Sequence, residues 1–376
     1  MPKNERESRG RAKSPKGPQK SPAGRADSGS DSLAALGEFG LISELVKELG
    51  DAASDVLLPV GDDAALWDPK GQALATADAL MEGVHFRVDW GGPEDLGFKA
   101  VSVNVSDVAA MGGRPDLALV VLGVKPETDP SWLRGLYRGM AEACRRYGMK
   151  VGGGDTFLSE RIVISMTVLG TPSPSGSVKR AGARIGDTLF VTGTLGDAAA
   201  GLAYLKARQL EGRLKGKTRK ASRGASSKLM ATGLRRLLRP TARLDEGRAA
   251  ASAGASAMID ISDGLAADAL HLADASGVGI RLRGSSIPIG AGARAAEGLL
   301  GLAPERLALS GGEDYELLIA ISPDRSEHIV SALEHTGTPL TAVGEVVPAD
   351  QGCFLEAEGV RTALNEIGGF DHFRRG

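Results

Sequence analysis

The sequence predicts a mixed fold of class α/β (α+β), built as two halves that meet near residue 171. Three observations carry this reading. Strand-like and helix-like hydrophobic patterns alternate along most of the chain, with no convincing internal repeat. The length of 376 residues suits one large or two ordinary domains, and 42% hydrophobic content supplies a normal core. Glycine, at 52 residues, is abundant but lacks a G-X-Y period, so it marks turns and close backbone approaches rather than collagen. The predicted boundaries are 1–32 for a tail, 33–170 for the first domain and 171–376 for the second.

The elements follow in order. GEFGLISELVKELG, from Gly37, spaces its apolar residues as a helix and opens the folded part. QALATADAL reads as a strand that ends in polar residues, and the alternation in MEGVHFRV suggests strand again. PEDLGFKAVSVNVSDVAAMGG is a helix with a polar stripe, closed by a glycine pair. DLALVVLGV is a buried strand, and DPSWLRGLYRGMAEACRRYG a helix capped by Asp129 or Ser131. MKVGGGDT then reads as a short strand running into a glycine turn, followed by the strand RIVISMTVLGT. GDTLFVTGTLGDAAAGL is strand, glycine turn and helix; residues 206–228 read as a solvated connection to the helix SSKLMATGLRRLL. AMIDISDGLAADALHLADASGVGIRL is strand, acidic turn, helix and strand. EDYELLIAI, SEHIVSALEHTG and LTAVGEVV complete the series as strand, helix and strand.

Charge is unevenly spread. Residues 1–32 carry +4 and, lacking large apolar residues, are expected to be disordered; residues 206–228 carry +8. Removing both from the net −2 leaves about −14 on the remainder, an acidic body. Neither basic stretch interleaves aromatics for base stacking, so no nucleic-acid partner is read from them. No apolar run is long enough to span a membrane, and the charged N-terminus has no apolar stretch behind it. The expectation is a cytoplasmic chain without a membrane partner. Cys144 and Cys353 alone make neither a disulfide framework nor a cysteine-based zinc site.

The chemistry lies in acids placed at strand ends or in glycine-rich turns. Asp62 and Asp63 sit in VGDDAAL, Asp78 in ATADAL, Asp107 in NVSDVAAMGG, Asp155 in VGGGDT, and Asp260 and Asp263 in MIDISDGL. Each alone reads equally as a turn residue or a cap. Together, flanked by Val, Ile, Met, Ala and Gly, they require pairing or metal, because an unpaired buried carboxylate costs several kcal/mol. Lys99 and Arg180 are the candidate partners, too few for the set. Oxygen-only clusters suit hard divalent cations, Mg²⁺ above all. Such a site fits Mg²⁺–nucleotide chemistry, with the glycine turns at 152–154, 193–196 and 311–312 offering N–H groups to phosphate. Neither a Walker A loop, a GxGxxG fingerprint nor a protein-kinase motif set is present.

GEFGLI, GDDAAL, TADALMEGVHF, KAVSVNVSDVAAMGG, GGDT, IDISDGL, SGGEDYEL and GGFDHF occur in an order that resembles the thiamine-monophosphate kinases, of the aminoimidazole-ribonucleotide-synthetase-like superfamily. The likeness runs from about residue 37 to the end and leaves out the tail and the 206–228 insert. It implies a two-domain PurM-like fold, with the N-terminal halves of a homodimer building a shared β-barrel. It implies ATP and thiamine monophosphate as substrates, thiamine diphosphate as product, and several Mg²⁺ ions. The metal ligands it implies are Asp63, Thr76, Asp78, Asp107, Asp155, Asp260 and Asp263; Ala77, where the family often has a hydroxyl, offers its main-chain carbonyl. Tyr137, Gly154, Arg180 and Ser262 match nucleotide-contacting positions, and His85, Glu313 and Phe370 match substrate-contacting ones.

Read without the resemblance, His85 and Tyr137 are equally core residues, Phe370 a plug for the C-terminus, and Arg180 a surface ion pair. Within the superfamily, aminoimidazole-ribonucleotide synthetase remains the rival enzyme. A selenophosphate synthetase would need a reactive Cys before Gly37, and a hydrogenase-maturation relative a C-terminal Cys, where this sequence reads Arg-Arg-Gly. A reading of another class is a non-catalytic nucleotide-sensing or nucleic-acid-tethered protein.

Overall fold

The computed structural model describes residues 44–45, 47–50, 71–213 and 225–370. The predicted basic tail, the start near Gly37, Asp62, Asp63 and the centre of the basic insert lie outside them.

Among the described residues, the N-terminal half holds a four-stranded sheet with two long helices on one face, and the helical residues 44–45 and 47–49 add Leu45 and Leu49 to its core. Its strands are β1 (Leu74–Met81), β2 (Arg114–Val124), β3 (Lys150–Leu158) and β4 (Val163–Thr171), in the order β1-β4-β2-β3. β4 runs antiparallel to both β1 and β2, and β3 runs parallel to β2. Parallel strands need crossovers, which α1 (Pro93–Ala110) and α2 (Pro130–Tyr147) supply. The register puts Ile164, Met166 and Val168 of β4 beside Leu122, Val120 and Ala118 of β2, all buried toward the helices. The alternate residues, among them Ala77, Ala79, Ser165, Thr167 and Val121, line the other face, which no described helix covers.

α1 starts at Pro93, a residue preset for the first turn, with Glu94 and Asp95 favourable to the positive end of the helix dipole. It is buried on nearly every side, and α2 lies against it closely enough to exclude side chains at the crossing. A Cβ on Gly97 would come within 1.9 Å of the Leu136 carbonyl oxygen, and one on Gly139 within 1.9 Å of that of Glu94.

The C-terminal half is a seven-stranded sheet in the order β11-β10-β7-β9-β5-β8-β6. Three neighbouring strands form one end of it: β5 (Thr188–Thr192), β8 (Glu316–Ile321) and the edge strand β6 (Ala257–Ile261). Outside them lie β7 (Gly279–Arg283), β9 (Leu340–Val347), β10 (Cys353–Ala357) and β11 (Val360–Ala363). β8 is buried along its whole length: Leu318 and Ala320 face one core cluster, Leu317, Ile319 and Ile321 another. A strand covered on both faces reads as a continuous apolar run, which is why ELLIAI shows no alternation.

Three local expectations change. The glycines of VGGGDT do not turn; they lie inside β3, where a Cβ on Gly154 would sit 1.7 Å from the Val120 carbonyl oxygen. MEGVHFRV does not continue as strand: β1 ends at Met81, and the N–H groups of Val84 and His85 turn back to the Met81 carbonyl. The 206–228 connection is partly helical, since α3 (Asp197–Arg213) runs into it and α4 (Ala225–Leu238) begins inside it. Nor do the described strands of one chain close a barrel: β1 and β3 remain sheet edges.

The helix crossing yields a contrast. Gly97→Ala is expected to destabilise the fold by roughly 1–3 kcal/mol, because its Cβ meets backbone that cannot rotate away. Gly298→Ala, mid-helix in Ala291–Leu300 with nothing within 4 Å, is expected to stabilise by about 0.5–1 kcal/mol. Urea denaturation of the two variants checks both signs.

Candidate active site

The polar stripe of α1 reaches three elements. Asn104 Oδ1 accepts from the main-chain N–H of Asp78 at 3.0 Å while its Nδ2 donates to the Ala100 carbonyl, pinning β1 to the helix. One turn on, Asp107 Oδ2 accepts from Thr76 Oγ1 at 2.5 Å. Ser106 Oγ donates to Asp260 Oδ2 at 2.7 Å, bonding the N-terminal half to β6 of the C-terminal sheet. Lys99 Nζ donates to Glu313 Oε1 at 2.7 Å across the same junction.

β6 ends beyond Asp260 in the turn Ser262–Asp263–Gly264, which opens α5 (Leu265–Ser276). Two segments are stitched onto that turn. The N–H of Glu313 donates to the Ser262 carbonyl, that of Tyr315 to Ile261, and that of Phe370 to Asp263. Glu313 and Tyr315 hold φ of 70° and 52°, left-handed conformations unusual for side-chain-bearing residues and concentrated at functional sites. Phe370 is 51% exposed at the rim.

These carboxylates raise one another's proton affinity. Burial pushes the Asp260 carboxyl up to about 7, and the negative charges of Asp107 and Asp78 push the same way; the Ser106 hydroxyl and Arg180 oppose them. Burial also raises Asp107, against the Thr76 hydroxyl and Arg180. Burial and the charges of Glu313, Asp78, Asp260 and Asp107 hold the Tyr315 phenol well above its ordinary range. Asp268 takes the N–H groups of Ser262 and Asp263 at 3.0 and 3.1 Å, yet burial, Asp260 and Asp263 push it up to about 8. The sequence reading missed Asp268; the signal was an acid in the first turn of the helix that follows IDISDGL.

The predicted residues therefore separate. Thr76, Asp78, Asp107 and Asp260 gather around α1, with the exposed Arg180 felt by both Asp107 and Asp260. Asp263 offers a ligand atom within 4.8 Å of Asp268 and His271. Ala77 turns its side chain to the opposite sheet face from Thr76 and Asp78. Asp155 shares the row of Val121, Ser165 and Ala79, so it lies on the uncovered face at the far edge from β1. Gly154 occupies Asp78's own row, also at that far edge. Tyr137 is buried in the N-terminal core, its hydroxyl pushed up to about 12 by burial. His85 sits in the turn after β1; its Nδ1 accepts from the Met81 N–H at 3.0 Å, which leaves the ring proton on Nε2.

Residues 61–171 match the family described as AIR synthase related protein, N-terminal domain, and residues 184–354 the corresponding C-terminal domain. The thiamine-monophosphate kinase of Escherichia coli (strain K12) is 37% identical over 345 residues, covering 90% of this chain and 99% of that protein. The chain belongs to the thiamine-monophosphate kinase family. The Mycobacterium tuberculosis thiamine-monophosphate kinase is 39% identical, over 77% of this chain and 82% of its own length. Among solved structures, the Stenotrophomonas maltophilia thiamine-monophosphate kinase superposes with a TM-score of 0.71 at 33% identity, covering 86% of this chain and 96% of that one. AaThiL complexed with AMPPCP and TMP superposes at 0.68 and 37% identity, covering 91% and 98%. The hydrogenase maturation protein HypE, at 20% identity and a TM-score of 0.67, shares the fold. The fold is thus the two-domain, mixed α/β PurM-like one, in a kinase family.

The donors gathered at this junction suit Mg²⁺. They are oxygen-only, and burial with mutual repulsion, opposed by one arginine, leaves Asp107 and Asp260 short of positive charge. A pH signature follows. The folded chain without metal keeps a proton on Asp260 up to about pH 7, whereas an unfolded Asp releases it near 3.9. That stabilising difference is present at low pH and lost as pH rises through 7. In EDTA, Tm is expected to fall between pH 6 and pH 8, and added Mg²⁺ to raise Tm more at pH 8 than at pH 6. Thermal melts at the two pH values check both signs.

Proposed function

We propose that this chain phosphorylates thiamine monophosphate to thiamine diphosphate, using ATP, by direct in-line transfer assisted by several Mg²⁺ ions. The observation that carries the reading is the convergence of Asp78, Asp107 and Asp260 at the junction of the two halves, in a chain that aligns with 99% of a thiamine-monophosphate kinase. AMPPCP and TMP, bound together in the related AaThiL complex, support the substrate pair.

The acceptor is a phosphate monoester with a second pKa near 6, so its attacking oxygen is already largely deprotonated at neutral pH. The chain then needs no general base, and the work left to it is alignment of two polyanions. Thr76, Asp78, Asp107 and Asp260 would hold Mg²⁺, with Asp263 beside them and Asp63 and the Ala77 carbonyl completing the set. Bound Mg²⁺ supplies charge neutralisation between donor and acceptor phosphates. Arg180, already felt by Asp107 and Asp260, adds a planar pair of donors for phosphate oxygens. Gly154 and Ser262 offer the nucleotide close main-chain approach and a hydroxyl, and Tyr137 backs that wall from the core. The Nε2–H of His85, the carboxylate of Glu313 and the ring of Phe370 receive the cationic thiamine moiety.

The working unit in this proposal is a homodimer. The face of the four-stranded sheet left open by the described helices, with Val121 36% and Phe157 45% exposed and neither edge paired among the described residues, suits a second copy that closes a barrel. Asp155 lies on that face and joins the metal set through this closure.

Incubation with ATP, Mg²⁺ and thiamine monophosphate is expected to yield thiamine diphosphate on chromatography, with none in EDTA and none from unphosphorylated thiamine. Folded protein that binds Mg²⁺–ATP without this product would move the acceptor to that of another superfamily enzyme. Asp107→Ala is expected to lower kcat by at least about a hundredfold, while Phe370→Ala chiefly raises KM for thiamine monophosphate. Val121→Glu is expected to give monomers in sedimentation analysis.

A further inference from the structure

We infer that Lys99 is a positioning residue for the thiamine-bearing acceptor, acting through Glu313; the inference rests on the function proposed above. Lys99 lies at the first buried turn of α1, its side chain 5% exposed, and spans the junction to a residue 214 positions away. Burying an ammonium costs several kcal/mol, and a Met of similar length would fill the same space. The charge is therefore placed for its partner. Glu313 is the residue it meets, at 2.7 Å, and Glu313 is fixed from its own side by a left-handed φ and by its N–H bond to the Ser262 carbonyl. A carboxylate held at Oε1 from one side presents Oε2 in one direction.

The position of Lys99 gives that direction a meaning. The same lysine lines a cleft with His85, Trp90, Trp132 and Leu96, so one side chain touches both Glu313 and the cleft that His85 lines. Trp90 buries its indole N–H there with no acceptor among the described residues. The cleft thus offers aromatic walls and unfilled hydrogen-bonding capacity, and Lys99 joins it to a carboxylate already neutralised on one oxygen. A Lys–Glu pair has little net field, so a cationic ring gains from this site through one aimed oxygen rather than through diffuse charge. Without the ammonium, Glu313 is free to rotate and the acceptor loses a defined contact, while the nucleotide side keeps all of its groups.

The test measures kcat, KM for each substrate, and calorimetric affinity for thiamine monophosphate in wild type, Lys99→Met, Glu313→Gln and the double variant. Lys99→Met is expected to raise KM and Kd for thiamine monophosphate about tenfold with KM for ATP within about twofold of wild type. In the double variant the loss is expected to match Glu313→Gln alone, since a residue acting through Glu313 has nothing left to position. Lys99→Arg is expected to recover most of the loss. An unchanged KM for thiamine monophosphate, an equal rise for ATP, or additive losses in the double variant would overturn the inference. If Lys99→Met does not fold, Lys99→Gln is read by the same split. Wild type that binds thiamine monophosphate without turning it over overturns the proposed function and leaves the Lys99 affinity ratio readable; wild type that does not bind it overturns both.

Discussion

Everything at the junction depends on one helix that is buried on nearly all sides and still carries Lys99, Ser102, Asn104, Ser106 and Asp107. A buried polar group without a partner costs on the order of 1–3 kcal/mol, so each of these side chains dictates what must lie beside it. Ser102 meets the Tyr147 hydroxyl, Asn104 the main chain of β1, Ser106 the carboxylate of Asp260, Asp107 the Thr76 hydroxyl, and Lys99 the carboxylate of Glu313. The two halves are held in register by the same bonds that assemble the acids. Glycines at the α1–α2 crossing allow the helix to be enclosed so tightly.

Buried acids in this chain meet three different fates, and the difference is chemical. Glu316, fully buried, is paired with Arg243 and Arg236 and accepts from Thr192; it belongs to the frame. Asp197 is satisfied by the N–H groups of Gly292 and Ala293 at the start of a helix. Asp107 and Asp260 receive one hydroxyl each; burial raises the proton affinity of both, and the charge of Asp107 raises that of Asp260 further. The last condition suits a cation supplied from outside the chain. The short motif SGGEDYEL holds several of these solutions side by side: Glu313 on Lys99, Asp314 on the Gly196 N–H, Glu316 on its arginines.

The uncovered face of the four-stranded sheet is the complement of this arrangement. Both helices lie on the side where Thr76 and Asp78 point, which leaves small and half-exposed residues on the other side. The split of the predicted metal set follows directly, because a strand alternates its side chains. Asp78 and Asp155 fall on opposite faces at opposite edges.

By itself the sequence determined the alternation of strands and helices, the limits of α1 and α2, the IDISDGL turn and the list of acids. These are local properties, set by hydrophobic period, capping and glycine position within a few residues. It misread VGGGDT as a turn because a glycine required by a neighbouring strand looks, locally, like one required by a bend. It extended β1 through His85 because alternation continues there after the hydrogen bonding has stopped. Nor did it separate Asp155 from Asp78, single out Asp268, or pair Lys99 with Glu313 across 214 positions. Those outcomes depend on sheet order, on the parity of register across strands, and on which buried charge finds its counter-charge. Such quantities exist only once distant segments are in contact, and tertiary packing alone decides them.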